Sequence, residues 1–143
     1  MGKTNKFETE ILELLLQNIT LPEIGDAVGL GASTLDGSVY ISLLTADPTD
    51  EGLIANEATY TGYLRKDTSR GIGEWTVSGD TVSNANAITF DAATGGSSTV
   101  THFGLHFVFD GSMMMSGALT SSLAVSDGIT PEFAIGALTI TED

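Results

Sequence analysis

The residues best suited to chemistry in this 143-residue chain are its two histidines and its nineteen carboxylates. His102 and His106 lie in Thr-Val-Thr-His-Phe-Gly-Leu-His-Phe-Val-Phe, a β-branched and aromatic run interrupted by glycine, which reads as a strand. Four residues along a strand put both imidazoles on one face about 13 Å apart, too far to share a metal ion. The same spacing on a helix would suit zinc, but no glutamate follows His102, so the zincin pattern is absent. The pair reads as two half-exposed strand histidines. No Gly-x-Ser-x-Gly elbow marks a nucleophilic serine. Most acids stand where turns are expected, among them Asp47, Asp50, Glu51, Asp67, Asp80, Asp91, Asp110 and Asp127, the places that Asx-turn chemistry favours. Asp47-Pro48-Thr49-Asp50-Glu51 offers oxygen ligands for calcium without the spacing or glycine of an EF-hand loop. Gly29-Leu30-Gly31 has neither the strand and helix of a dinucleotide fingerprint nor the Gly-Lys-Ser/Thr of a Walker loop. The reading is of no catalytic residue, no cofactor and no metal.

Charge narrows the choice of partners. Five bases against nineteen acids give a net charge of −14. Lys3 and Lys6 precede residue 7, so residues 7–143 carry three bases and nineteen acids, 3 − 19 = −16. Nucleic-acid affinity comes largely from Lys and Arg displacing counterions, so DNA and RNA are excluded as direct partners. Anionic membrane surfaces are disfavoured in the same way, and no apolar run is long enough to span a bilayer. The absence of cysteine removes disulfides, thiolate metal sites and thiol nucleophiles. The bases of the body are Arg65, Lys66 and Arg70. Such a spot either pairs with local carboxylates or faces outward, where an acidic neighbouring subunit docks.

The elements that would position these residues divide into three stretches. Residues 1–20 read as a helical arm, 21–37 as a Gly-rich connector and 38–143 as a β domain. The helix is expected over residues 5–18, with Asn5 and Glu8 forming a capping box. Phe7, Ile11, Leu14, Leu15 and Ile19 fall at helical spacing on one side, and Leu12 and Leu16 widen the stripe. That breadth fits one long contact within the domain or an arm shared with another subunit. The connector carries glycines 25, 29, 31 and 37 among short apolar residues, so an ordered loop or a weak helical turn is expected rather than a free linker.

From residue 38 the texture is that of short β segments broken every eight to twelve positions. Strands are expected over 38–45, 60–68, 75–78, 81–83, 87–91, 99–110, 113–125 and 133–141. Gly79-Asp80 makes a tight hairpin turn and Gly95-Gly96-Ser97-Ser98 a flexible one. Along 99–110, Phe103, Leu105, Phe107 and Phe109 share one face; Phe103, Leu105, Phe107, Trp75, Ile41 and Val39 are the expected core. Met113-Met114-Met115 fills the core or faces a partner. About eight strands joined by short turns describe a mainly β protein, an antiparallel β-sandwich or jelly-roll-like barrel with one N-terminal amphipathic helix.

Several segments occur in an order that carries a resemblance: Leu43-Leu44-Thr45-Ala46-Asp47-Pro48, Tyr60-Thr61-Gly62-Tyr63-Leu64-Arg65, Trp75-Thr76-Val77, Thr101-His102-Phe103-Gly104 and Asp127-Gly128-Ile129-Thr130-Pro131. Together they resemble a family of small tailed-phage virion proteins that includes capsid cement or decoration proteins and others labelled tail-fibre proteins. The resemblance implies a non-enzymatic β protein, a homo-oligomer on the virion, bridging neighbouring coat subunits on the outer head surface after assembly in the host cytoplasm. Its partners would be the major capsid protein and sister copies, or the tail, neck or fibre if it sits there. A glycan-binding β-domain is the remaining alternative, with Trp75 as its only tryptophan. Partner contacts are expected from Phe7, Ile11, Leu14, Leu15 and Ile19, and from Arg65, Lys66 and Arg70.

Overall fold

A computed structural model describes residues 2–142. One helix, α1 (Asn5–Gln17), precedes nine strands among these residues: β1 (Ser38–Leu44), β2 (Lys66–Ser69), β3 (Trp75–Ser78), β4 (Thr81–Asn84), β5 (Ile88–Thr89), β6 (Ser97–His106), β7 (Met115–Ser126), β8 (Glu132–Phe133) and β9 (Thr139–Thr141). They form three antiparallel sheets, in the orders β2-β1-β6-β7, β3-β4-β9 and β5-β8. The protein is mainly β with one helix near its N-terminus, as expected, and no sheet closes into a barrel. By its contacts the chain forms two compact units: Met1–Gly37, Ser69–Asn86 and Ala134–Asp143 make one, Ser38–Thr68 and Ala87–Phe133 the other.

In the first unit, α1 begins one residue earlier than the expected capping box. Thr4 is the N-cap, extended at φ −93° and ψ 150°, and its hydroxyl accepts the Phe7 amide at 3.4 Å. Asn5 is already helical, so its side chain cannot take the capping role. Asn18 ends the helix in the left-handed region, a place asparagine tolerates better than most residues. Leu12 and Leu16 are wholly buried. Thr9 and Gln17 lie on the same side of the helix and donate to the Gly79 carbonyl at 2.8 Å and the Trp75 carbonyl at 2.7 Å. The helix therefore docks through Thr9, Leu12, Leu16 and Gln17.

Trp75 is buried beneath this contact, and its indole N–H donates to the Ser69 carbonyl at 3.1 Å. Strands β3 and β4 join through Gly79, whose φ of +64° suits the first central position of a type II′ turn. Asn84 is buried, with its amide donating to the Asn86 and Ala134 carbonyls and its carbonyl accepting the Leu138 amide. This satisfied polar group ties the 134–138 turn to the sheet. The connector is ordered, as expected: Leu21 and Leu30 exchange both backbone hydrogen bonds, and Leu21 is buried.

In the second unit, β1 and β6 pair with Ile41 opposite Leu105 and Leu43 opposite Phe103. Val39, Ile41, Phe103 and Leu105 are core, as expected, and Leu43 joins them. A β-bulge between Val100 and His102 changes which positions of β6 point inward. Ser98 and Val100 are buried before it, Phe103 and Leu105 after it. Rings of Phe90, Phe103 and Phe133 meet edge to face, with centroids 6.1 and 6.0 Å apart.

Four expectations are corrected here. His106 is wholly buried, because the chain after β6 folds back over its face of the sheet; His102 is half-buried. Phe107 is only half-buried, since the strand ends at His106. The expected strand 60–68 starts only at Lys66, because Thr61 is tied to Gly95 and Thr94 and Tyr63 closes a turn on Tyr60. The expected strand 133–141 splits into β8 and β9 around Gly136, whose φ is +73°.

Candidate interaction surface

On the second unit's sheet, Ser42, Gly104 and His106 share a face opposite the core positions Ile41 and Leu105. His106 Nδ1 lies 3.0 Å from the Gly111 carbonyl and Nε2 lies 3.0 Å from the Ser42 hydroxyl. A carbonyl only accepts, so Nδ1 carries the proton and Nε2 accepts from Ser42. Burial holds the imidazole below its ordinary pKa, and the nearby Arg65 cation acts in the same direction. This serine–histidine pair is sealed from solvent, with both residues at zero exposure. Its role is to pin the 107–114 segment onto the sheet.

That segment meets the turn at 60–65. Arg65 forms an ion pair with Glu57, donating through both Nε and Nη2, and its Nη1 donates to the Phe109 carbonyl. Glu57 also accepts the Tyr63 hydroxyl at 2.9 Å, while that hydroxyl accepts the Leu43 amide at 3.1 Å. Burial, more than the neighbouring Glu57 carboxylate, pushes the Tyr63 phenol well above its ordinary pKa, and it stays neutral. The Phe109 ring is held edge to face by Tyr40, centroids 5.4 Å apart.

Around this network lies a hollow of about 230 Å³ lined by Glu57, Tyr63, Leu64, Arg65, Phe109 and Asp110. Leu64 is 60% exposed and Phe109 44%, and both border the same hollow. A second hollow of about 260 Å³ is lined by Thr49, Asp50, Gly52 and the Met113–Ser116 segment. Of the three methionines, Met113 packs against Gly104 and Gly52, while Met114 points outward at 65% exposure. In the Asp47–Glu51 loop, the Asp47 carboxylate accepts the Thr49 amide at 2.8 Å, an Asx turn. No group of three or more His, Asp or Glu side chains could hold a metal ion among the described residues.

The sequence-derived contact residues divide between the units. Arg65 and the half-buried Lys66 lie in the second; Arg70 and the helical set lie in the first. Arg70 turns onto the C-terminal end of α1, donating to the Leu14 carbonyl at 3.2 Å, the Asn18 side chain at 2.6 Å and the Ser33 hydroxyl at 3.4 Å. A cation at that end of a helix complements its dipole. Phe7, Ile11, Leu14, Leu15 and Ile19 are all half-buried. On a 3.6-residue helix, Phe7, Ile11 and Leu14 lie opposite the docked side. The meeting of Arg65 with Glu57, Tyr63 and Phe109 had no sequence signal, because nothing in the spacing brings residue 57 to 65 or 109.

The sheet edges bear on assembly. Strand β2 is short and carries Lys66 and Asp67, which resist pairing with another strand. Strand β7 is twelve residues long and uncharged. However, its register against β6 passes from Ala118 opposite His102 to Leu123 opposite Val100. Residues 119–122 thus oppose one residue of the partner, and this irregularity blunts the edge.

A small β-rich chain with packed, closed polar groups and a hollow of mixed charged and apolar lining on its loops has the anatomy of a structural or binding protein. The chain matches the family of the podophage GP4 fiber I protein gp80 over residues 3–141, and it belongs to that family. It is a structural protein of a phage virion. No curated protein matches it.

Proposed function

We propose that the protein is a non-enzymatic component of the phage fibre or of the tail region that bears it. The observation carrying this reading is the extent of the family match, which runs from before α1 to the end of β9. The whole fold is therefore what the fibre family shares. The sealed Ser42–His106 pair and the engaged Arg65 and Arg70 support a role in contact rather than turnover. On this reading its partners are other virion proteins and sister copies. A second reading, the cement or decoration role on the outer head, draws support from the net charge of −14, which suits the outside of a DNA-filled shell. Electron microscopy of particles labelled with an antibody to this chain tests both, together with copy number by quantitative mass spectrometry. Label at the tail, with a copy number set by the tail's symmetry, is expected. Label spread over the head would replace the fibre reading with the decoration reading.

A further inference from the structure

We infer that the hollow around Phe109 receives a basic side chain, lysine or arginine, from a different protein of the virion. The inference rests on the structural-protein reading and adds to it the site and the chemistry of the contact. Three observations carry it. Two of the walls are apolar, and one of them is preset: Phe109 is held by Tyr40 and by the Arg65 hydrogen bond to its carbonyl, and Leu64 stands exposed beside the ion pair. Preset walls reduce the entropy lost on binding.

The charge of the hollow selects a cation. Arg65 and Glu57 neutralise one another, and Tyr63 is engaged on both sides. The Asp110 carboxylate accepts no hydrogen bond among the described residues, which leaves it as the uncompensated charge of the lining. An arginine or lysine stem covers Leu64 and the face of Phe109 while its head reaches a carboxylate, a geometry that combines apolar burial with cation–π attraction. The acidic chain as a whole steers a basic surface toward such a point.

The chain's own bases argue against a sister copy as occupant. Four of the five are already engaged: Lys3 with Glu142, Lys6 with Glu10 and Glu23, Arg65 with Glu57, and Arg70 with Leu14 and Asn18. The fifth, Lys66, is half-buried on β2, so a second protein with exposed Lys or Arg is the better source of the cation.

The test uses phage particles assembled without this protein, titrated with the purified full chain and separated by sedimentation. Wild-type protein is expected to bind. Phe109→Ala and Asp110→Asn should each weaken binding about tenfold or more. Asp110→Glu should restore most of the loss, and Ile72→Ala, at an exposed position in the other unit, should bind as wild type. Added salt should weaken wild type more than Asp110→Asn. Melting curves of each variant confirm the fold. Wild-type binding with undiminished Phe109→Ala and Asp110→Asn binding overturns the hollow and leaves the structural role standing. Failure of wild type to bind any particle overturns both. If the two variants abolish self-association in light scattering while particle binding is unchanged, the occupant is a sister copy and the inference is wrong.

Discussion

The Ser42 hydroxyl donates to His106 Nε2 at 3.0 Å, and neither residue reaches solvent. Protonating Nε2 would remove its acceptor lone pair and bury a charge. The folded state therefore binds this proton less readily than the unfolded chain, whose histidine keeps the ordinary value of 6.5. Stability from His106 is complete above that pH and is lost as pH falls below it toward the lowered folded value. Thermal melts from pH 7.5 to 5 should show a falling midpoint. His106→Gln should be less stable at neutral pH yet flatter across this window. An equal slope in the variant would assign the acid sensitivity to other groups.

Arg70 fastens the end of α1 to the connector, and its Nε is buried with no partner among the described residues. Arg70→Ala should cost about 1–3 kcal/mol in urea denaturation, because the Leu14 carbonyl and Asn18 side chain lose a charged donor. Arg70→Lys should recover only part of this, lacking the planar fork. A neutral Arg70→Ala would place the residue outside the stabilising network.

Two glycines should respond unequally to alanine. A Cβ at Gly117 would lie 2.5 Å from the Phe103 ring, a stiff core side chain. A Cβ at Gly104 would meet the Ser42 hydroxyl at 2.7 Å and the flexible end of Met113 at 2.8 Å. Gly117→Ala should fall in the overpacking range of about 1–3 kcal/mol, and Gly104→Ala should cost less. Denaturation midpoints of the two variants, measured side by side, check the order.

Glu57→Gln should leave the Arg65 charge, largely shielded from water, without its counter-ion. The expected loss is about 1–3 kcal/mol by denaturation. The Tyr63 hydroxyl would retain an acceptor in the glutamine carbonyl, so spectrophotometric titration should still show a raised phenol pKa. A return of that phenol to its ordinary value would mean that Glu57, rather than burial, sets it.

The parts of the fold that were legible in the sequence are those where local chemistry and tertiary packing agree. Alternation and Gly79-Asp80 marked β3 and β4 almost to the residue, and the leucine pattern marked α1. The docked side of α1 was not legible, because apolar residues surround much of the helix. Leu12 and Leu16, read as additions to the stripe, are its buried residues. Tyr60–Arg65 has strand-like composition, yet its amides are spent on Gly95 and on turns. Burial of Asn84 depends on a carbonyl far along the chain, at Ala134, and that of His106 on the 107–114 segment folding back over the sheet. Of the interaction surface, the sequence flagged Arg65 within one cationic spot with Lys66 and Arg70; the acid, phenol and ring around Arg65 are products of the fold.

The two units have a consequence for how the chain can be cut. It crosses from one to the other after Gly37, Thr68, Asn86 and Phe133, so neither corresponds to an unbroken stretch of gene. No single truncation yields either one intact, and removing the first nineteen residues takes Leu12 and Leu16 out of a folded interior.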